Sequence, residues 1–143
     1  MIKLSDPYDE QNIFAKILRG DLPSIKIYED DETLAFMDIM PQTDGHVLVI
    51  PKRPAVHLLT LPDDIAGPVL ITARKVADAV RKAMGADGIM IAQLSGSDAG
   101  QTVPHFHIHI LPRHNGIDLA FHARDVADMD ELAAIADKIK AEL

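Results

Sequence analysis

The sequence contains no cysteine among its 143 residues. This absence excludes disulfide bonds and any zinc site with thiolate ligands, and it fits a reducing compartment. The sequence has no basic cluster and a net charge of −8, which does not support a nucleic-acid-binding surface. No apolar run reaches the length of a transmembrane helix, and the opening stretch MIKLSDPYDE lacks the apolar core of a signal peptide. We therefore expect a cytoplasmic protein that binds neither nucleic acid nor membrane.

The composition is that of an ordinary globular domain. Apolar residues make up 48% of the chain and charged residues 25%, which argues against disorder. The length suits one domain with a proper hydrophobic core, and we expect residues 1–143 to form it. A small anionic ligand is compatible with the acidic charge, because local hydrogen-bond donors can hold it.

The first third of the chain predicts one short helix and three strands. NIFAKILRGDLPS reads as a helix with an apolar stripe that ends at Gly20, and the stripe consists of Ile13, Phe14, Ile17 and Leu18. Strands are predicted at 25–30 and 33–39, joined by a tight acidic turn around Asp30 and Asp31, and at 46–52. The third strand is apolar on both faces, so we expect it to be central in a sheet.

The rest of the chain predicts two long helices and a fourth strand. The main helix spans about 62–84 and ends at Gly85, and its start is uncertain because Gly67 and Pro68 lie inside it. Its predicted buried side consists of Ile65, Val69, Thr72, Ala73, Val76, Ala79, Val80 and Ala83. The fourth strand is predicted at 88–94, and a C-terminal helix at 128–143 begins with a capping box of Asp128 and Glu131.

Three histidines alternate with apolar residues in VPHFHIHILPR, residues 103–113. Because side chains alternate across a strand, this segment predicts a fifth strand with His105, His107 and His109 on one face. Same-face neighbours would then lie about 6.6 Å apart. The predicted fold is α+β: a five-stranded antiparallel sheet with one long helix packed on it and a C-terminal helix. A helix would cover the face of Phe106 and Ile108, which leaves the histidine face for chemistry.

Three kinds of site are compatible with such a histidine row. Imidazoles can bind zinc, one imidazole can act as a nucleophile while the others tune it, or all three can be structural. The preceding loop SGSDAGQTV, residues 95–103, favours the nucleophile, since Gly96 and Gly100 permit a nest of backbone N–H groups that binds phosphate. Thr102 would add a hydroxyl. A phosphate beside an imidazole nucleophile indicates phosphoryl or nucleotidyl transfer.

The histidine segment and its loop resemble a known family signature. GQTVPHFHIHILPR is similar to the motif of the histidine-triad (HIT) superfamily, and IFAKILRGDLPSIKIYEDDETLAFMDIMPQTDGHVLVIPKR resembles the N-terminal half of that family. The similar stretches cover residues 12–53 and 88–113. The stretch IFAKILRGDLPSIKIYEDD looks more like the nucleoside phosphoramidase branch. The resemblance implies a HIT-like domain that forms homodimers, favours purine nucleotides and needs no metal or other cofactor.

The resemblance also implies roles for the histidines. His107 matches the nucleophile, which attacks the α-phosphorus of a nucleotide carrying a leaving group; water then hydrolyses the nucleotidyl-histidine and releases AMP. His105 and His109 would orient this ring and contact phosphate oxygens. His46 matches a fourth family histidine, which supports the other histidines and does not contact the substrate directly.

The expected substrate contacts follow from the same resemblance. Asp38 would bind the ribose hydroxyls, and Ile39, Phe36, Phe14 and Ile17 would line the base. Gly100, Gln101 and Thr102 match the phosphate loop. Ser95 stands where the family often has Asn, so a phosphate contact at this position is in doubt.

Other interpretations stay open at this stage. The chain could hydrolyse dinucleoside polyphosphates, serve as a non-catalytic purine-nucleotide-binding module, or bind zinc. Asp38 could cap a strand end and His46 could be a core histidine, while Phe14, Ile17 and Phe36 could belong to the core. The remaining histidines, His57, His114 and His122, match no motif and are expected to be surface or structural residues.

Overall fold

The computed structural model describes residues 1–120 and 125–143. These residues form five strands, three α-helices and two single-turn 3-10 helices. The strands are β1 (Lys26–Glu29), β2 (Thr33–Met37), β3 (Val47–Pro51), β4 (Gly88–Ala92) and β5 (Ile108–Arg113). The helices are α1 (Ile13–Leu18), α2 (Asp63–Met84) and α3 (Met129–Lys140). Within the described ranges, no helix is long and apolar enough to cross a membrane.

The strands form one antiparallel sheet in the order β1-β2-β3-β5-β4. This confirms the predicted α+β fold and places β3 in the centre, where all five of its residues are buried. The acidic turn between β1 and β2 is held by Asp30, whose Oδ1 accepts hydrogen bonds from the backbone N–H groups of Glu32 and Thr33.

Helices α2 and α3 cover one face of the sheet. Seven of the eight residues predicted to be buried on α2 are buried, and Ala83 is partly buried against the same core. Phe106, Ile108 and Ile110 pack into this core from the histidine segment, as predicted. The α2 helix runs unbroken through Pro68, its sixth residue, although proline has no N–H to donate to the carbonyl of Asp64.

The C-terminal helix completes the same core. Asp128 caps it, since its side chain accepts from the N–H groups of Asp130 and Glu131, and α3 packs against α2 and β1. Its buried residues are Leu132, Ala136 and Ile139.

The opposite face of the sheet carries a smaller apolar cluster. Leu34, Phe36, Leu48 and Ile50 pack there against Phe14 of α1, and Asn12 caps α1 by accepting from the N–H groups of Phe14 and Ala15. His109 pairs with Leu48 across β5 and β3 and lies on this face. The sheet therefore separates a helix-covered core from the face that carries the candidate site.

The prediction of a strand across the whole histidine segment was wrong in its extent. β5 begins at Ile108, so His105 and His107 precede it. Two contacts explain this: the N–H of Phe106 donates to the carbonyl of Ala55 at 2.7 Å, and the ring of His105 bonds the carbonyl of Pro51. The approach to β5 thus pairs with the chain beyond β3 instead of extending the ladder. β2 is also shorter than predicted, and it leaves Asp38 and Ile39 just after its end.

Candidate active site

His107 is held by one backbone hydrogen bond. Its Nδ1 lies 2.6 Å from the carbonyl oxygen of His105, which can only accept, so Nδ1 carries the proton and Nε2 keeps its lone pair. Burial lowers the pKa of His107, against the smaller opposing effects of this hydrogen bond and of the Asp38 charge. The ring is therefore neutral near pH 7, the form in which an imidazole can attack phosphorus.

His105 is fully buried and both of its ring nitrogens are engaged. Nε2 donates to the carbonyl of Pro51 at 2.9 Å, and Nδ1 lies 2.6 Å from the hydroxyl of Tyr8. Burial lowers the pKa of His105 to about 4. Neither ring nitrogen of His105 is therefore left to bind a phosphate. His105 contributes its backbone carbonyl to the site, where it accepts the hydrogen bond from His107 Nδ1.

His109, His46 and Asp38 form a second group beside His107. The rings of His107 and His109 stand edge to face with centroids 4.9 Å apart, and His109 Nδ1 lies 2.9 Å from His46 Nε2. His46 Nδ1 accepts from the N–H of Gln42 at 3.1 Å. The proton of a neutral His46 therefore sits on Nε2 and is donated to His109. Asp38 Oδ2 lies 3.5 Å from the same His46 nitrogen.

Asp38, His46 and His109 are also the residues that could hold a metal ion. One ligand atom from each lies within 4.8 Å of the others. A zinc-bound His46 Nε2 would carry its proton on Nδ1, and that proton would face the N–H of Gln42, so two donors would meet. Ligating histidines normally donate from the second nitrogen to an acceptor. The hydrogen-bond pattern of this group therefore suits an imidazole relay better than a metal site.

A pocket of about 190 Å³ opens beside these histidines. Phe14 forms one wall, and its ring contacts Phe36 and His107 edge to face, with centroids 5.3 Å and 5.1 Å away. Further lining residues include Ile17, Asp38, Ile39, Leu48, Thr102, Val103 and His109. Phe14 and Phe36 are also core residues. The same two side chains therefore pack in the core and line the pocket, the two roles that the sequence left open. The carboxylate of Asp38 is oriented by the N–H of Met40, which donates to its Oδ1 at 2.9 Å.

The glycine loop before the histidines is organised by Gln101. Its buried Oε1 accepts from the N–H of Gly96 at 2.7 Å, while Nε2 donates to the carbonyls of Val56 and Val103 at 2.6 and 3.0 Å. These bonds occupy the Gln101 side chain. Its backbone N–H donates to the carbonyl of Gly96 at 3.0 Å, and that of Gly100 donates to the carbonyl of Ser97 at 2.9 Å, so these two residues do not form the predicted nest of open N–H groups. Gly100 has φ +103°, a conformation that glycine adopts most easily.

Two further predicted loop residues differ in their surroundings. Thr102 is exposed and lines the pocket, whereas the hydroxyl of Ser95 donates to Gln93 Oε1 at 2.9 Å. Ser95 is therefore already paired within the loop.

Some residues that shape the site carry no recognisable sequence signal. Tyr8 lies in an acidic stretch without periodicity, and the carbonyls of Pro51 and His105 act through the backbone. Of the histidines without a motif, His57 is buried and its Nε2 bonds the carbonyl of Leu4, and His114 bonds the carbonyl of Met84. His122 lies outside the described residues.

The sheet and the histidine cluster together define an α+β domain. Its histidine triad lies just before and at the start of β5. The model of the HIT domain family matches residues 19–116. The chain belongs to the HIT family.

Comparison with individual proteins agrees with this membership. A Hit-like protein involved in cell-cycle regulation from Bartonella henselae superposes with a TM-score of 0.92 and 44% identity, over 96% of this chain and 100% of that one. A Zn-bound histidine triad family protein from Mycobacterium smegmatis superposes with a TM-score of 0.81 and 38% identity, over 92% of each chain. Adenosine 5'-monophosphoramidase HNT1 of Candida albicans is 33% identical over 138 residues, 92% of this chain and 90% of that protein.

Proposed function

We propose that this protein hydrolyses nucleotides of the AMP–X type, in which X is an amine or an acyl group on the α-phosphate. AMP would be released through a covalent nucleotidyl-histidine on His107, without a metal. Relatives from three yeasts are named adenosine 5'-monophosphoramidase, which supports hydrolysis of this class. The observation that carries the proposal is the His107 ring. Its Nδ1–H is bound to the His105 carbonyl, so Nε2 keeps its lone pair, and the ring contacts Phe14 and His109, which line the pocket.

The chemistry runs in two displacements. The Nε2 lone pair forms a bond to the α-phosphorus, the P–X bond breaks, and X departs with its electron pair and takes up a proton. The ring then carries a positive charge, which the hydrogen bond from Nδ1–H to the His105 carbonyl stabilises. Water next attacks phosphorus and loses a proton, the P–N bond breaks, and its electron pair returns to Nε2 to restore neutral His107.

The surrounding residues would bind the two halves of the substrate. Asp38 can accept hydrogen bonds from ribose hydroxyls at the pocket rim, with Phe14, Phe36 and Ile39 against the base. With Nδ1 accepting from His46, His109 carries a proton on Nε2 and can donate it to a phosphate oxygen. The exposed hydroxyl of Thr102 would hold a further oxygen, whereas the N–H groups of Gly100 and Gln101 would reach the phosphate only by leaving the carbonyls of Ser97 and Gly96.

The first test compares two histidine variants. His107→Ala should lose turnover by at least about a thousandfold, because among the described histidines no other imidazole nitrogen is placed to form the adduct. His114→Ala is the matched control, since it removes an imidazole that bonds only a helix-end carbonyl, and it should retain the wild-type rate. Release of AMP from an adenosine phosphoramidate is the measurement, and normal turnover by His107→Ala would refute the assignment.

The same assay separates metal from metal-free catalysis. EDTA should leave the rate unchanged, and metal analysis of untagged protein should find no stoichiometric zinc. Activity lost to EDTA and restored by zinc would favour a zinc enzyme, in line with the zinc found in the mycobacterial relative.

A substrate panel tests the preference between branches of the superfamily. A dinucleotide with three or four phosphates needs several cations. Those next to the motifs in the sequence are already engaged: Lys52 pairs with Glu29, Arg53 with Asp64, and Arg113 bonds the carbonyl of Ile117. The phosphoramidate or an aminoacyl-adenylate analogue should therefore show the higher kcat/KM. A tenfold preference for diadenosine polyphosphate, about 1.4 kcal/mol in the transition state, would overturn this order, and binding of AMP without turnover of any substrate would indicate a binding module.

A further inference from the structure

One hydrogen bond connects the N-terminal segment to the histidine triad. The hydroxyl of Tyr8 lies 2.6 Å from Nδ1 of His105, and the two rings meet edge to face with centroids 5.6 Å apart. Tyr8 lies outside the stretches that resemble the HIT family and outside the matched range 19–116.

The direction of this hydrogen bond is fixed by the far side of the imidazole. His105 Nε2 faces the carbonyl oxygen of Pro51, which can only accept, so Nε2 carries the proton and Nδ1 must accept. The Tyr8 hydroxyl is therefore the donor. Burial raises the pKa of Tyr8, so the phenol keeps its proton throughout the working range.

Tyr8 lies two hydrogen bonds away from the nucleophile. The Tyr8 hydroxyl and the Pro51 carbonyl fix the His105 ring from both sides, and the carbonyl of His105 accepts the Nδ1–H of His107. The N-terminal segment that carries Tyr8 is itself anchored, because His57 Nε2 bonds the carbonyl of Leu4 at 3.0 Å. The N–H of Ser97, in the glycine loop, also donates to the carbonyl of Ile2 at 2.8 Å.

We propose that Tyr8 is a positioning residue for the proposed reaction: by donating to His105 Nδ1 it fixes the carbonyl that holds His107 with Nε2 directed at the substrate. The inference rests on the proposed function for its kinetic test only. It assigns a role in the reaction to the segment before α1. This segment contributes no residue to the pocket wall and acts only through its hydrogen bond to His105.

Tyr8→Phe should lower kcat about tenfold and leave KM and AMP affinity within about twofold, because even a 1 Å displacement of a reacting group costs roughly a hundredfold. Tyr8 does not line the pocket, which is why binding should persist. Tyr28→Phe is the matched control: it also removes a hydroxyl hydrogen bond, to Asp30 Oδ2 at 3.0 Å, but on β1. The control should keep the wild-type kcat.

Nitrogen-15 spectra of the imidazoles supply a readout that needs no substrate. In the wild type, His105 should show a protonated Nε2 and a hydrogen-bonded, unprotonated Nδ1, and His107 a protonated Nδ1. In Tyr8→Phe, the His105 Nδ1 signal should move to that of an unbonded nitrogen and the His107 signals should broaden or shift. Unchanged imidazole signals and unchanged kcat in Tyr8→Phe would overturn the proposal.

A second measurement keeps the hydroxyl, in case Tyr8→Phe folds poorly. The chain has two tyrosines, so 3,5-difluorotyrosine incorporated into Tyr28→Phe labels position 8 alone and makes its phenol more acidic. The charged groups near this phenol are Glu10 and Asp9, which raise its pKa, and Arg19, which lowers it. An alkaline decline in kcat should appear only in the fluorinated protein, because the phenolate cannot donate; a flat profile would contradict the role of Tyr8. If the wild type turns over no substrate, the proposed function fails, while the nitrogen-15 spectra still decide the Tyr8 link.

Discussion

Three of the four imidazoles in the site are each set in one tautomer by a backbone group, and the fourth, His109, is set by His46. The Pro51 carbonyl places the proton of His105 on Nε2, the His105 carbonyl places that of His107 on Nδ1, and the N–H of Gln42 places that of His46 on Nε2. Side-chain alternation alone does not contain this information, because it says which residues share a face and not what their nitrogens meet. The chemistry of the triad therefore depends on the loops around β3 as much as on the triad itself.

The buried, neutral state of His105 should make stability depend on pH. Its pKa in the folded protein, about 4, lies below the ordinary value of 6.5, so the unfolded chain binds the proton first. Stability is then fully present above pH 6.5, falls as the pH drops below that value, and levels off below about 4. Between pH 7.5 and 5 this group alone should cost about 2 kcal/mol of the free energy of unfolding.

Urea denaturation of the wild type and of His105→Gln across this range isolates the effect. The glutamine does not titrate, so the difference in unfolding free energy between the two proteins should shrink by about 2 kcal/mol from pH 7.5 to pH 5. A difference that stays constant with pH would mean that His105 does not carry this linkage.

At the scale of elements, the periodic segments could be predicted and the connections could not. β3 is central because it is apolar on both faces, and α2 buries seven of the eight residues that its 3.6-residue period indicates. By contrast, β5 begins three residues later than His105, since Phe106 pairs with Ala55 beyond the end of β3. That pairing is a long-range event with no local signature.

The candidate site follows the same division. The positions of the three histidines and of the glycine loop can be predicted from the sequence because residue type and spacing mark them. The motif includes Gln101, but the sequence does not predict that its side chain holds the loop in place. That role depends on hydrogen bonds to carbonyls 45 and 2 residues away. Sequence reasoning therefore indicated the candidate groups of the site and missed the contacts that hold them in place.

Gln101 should stabilise the glycine loop as a unit. Gln101→Glu keeps the shape of the side chain but turns the two N–H donors toward Val56 and Val103 into an oxygen that faces carbonyls. We expect AMP to bind at least about tenfold more weakly and the free energy of unfolding to fall by about 2–3 kcal/mol, the cost of unpaired buried polar groups. Gln11→Glu, on the exposed surface, makes the same change in charge and should alter neither quantity; calorimetric AMP binding and urea denaturation measure both, and equal behaviour of the two variants would argue against this role of Gln101.

At the scale of the whole molecule, one apolar region is left uncovered. β4 is the edge strand of the sheet and pairs only with β5 among the described residues. Ile91 on this strand is 48% exposed and Leu70 on the neighbouring face of α2 is 61% exposed. They border an open groove whose other lining residues are apolar except for the exposed Arg74: Ala73, Ala77 and Ile89. Contiguous apolar surface of this kind on an edge strand favours association.

We expect a second copy of the chain to cover this region across a two-fold axis, since a self-complementary patch is the most economical way to bury it. Sedimentation at micromolar concentration should give a species of twice 15.6 kDa. Ile91→Asp should shift it to the monomer, because a carboxylate buried in an apolar interface costs several kcal/mol. Leu59→Asp changes a residue that is 70% exposed in the turn before α2 and should stay dimeric, which shows whether added charge by itself dissociates the protein. A wild type that sediments only near 15.6 kDa would refute the dimer, and an Ile91→Asp protein that stays dimeric would place the interface elsewhere.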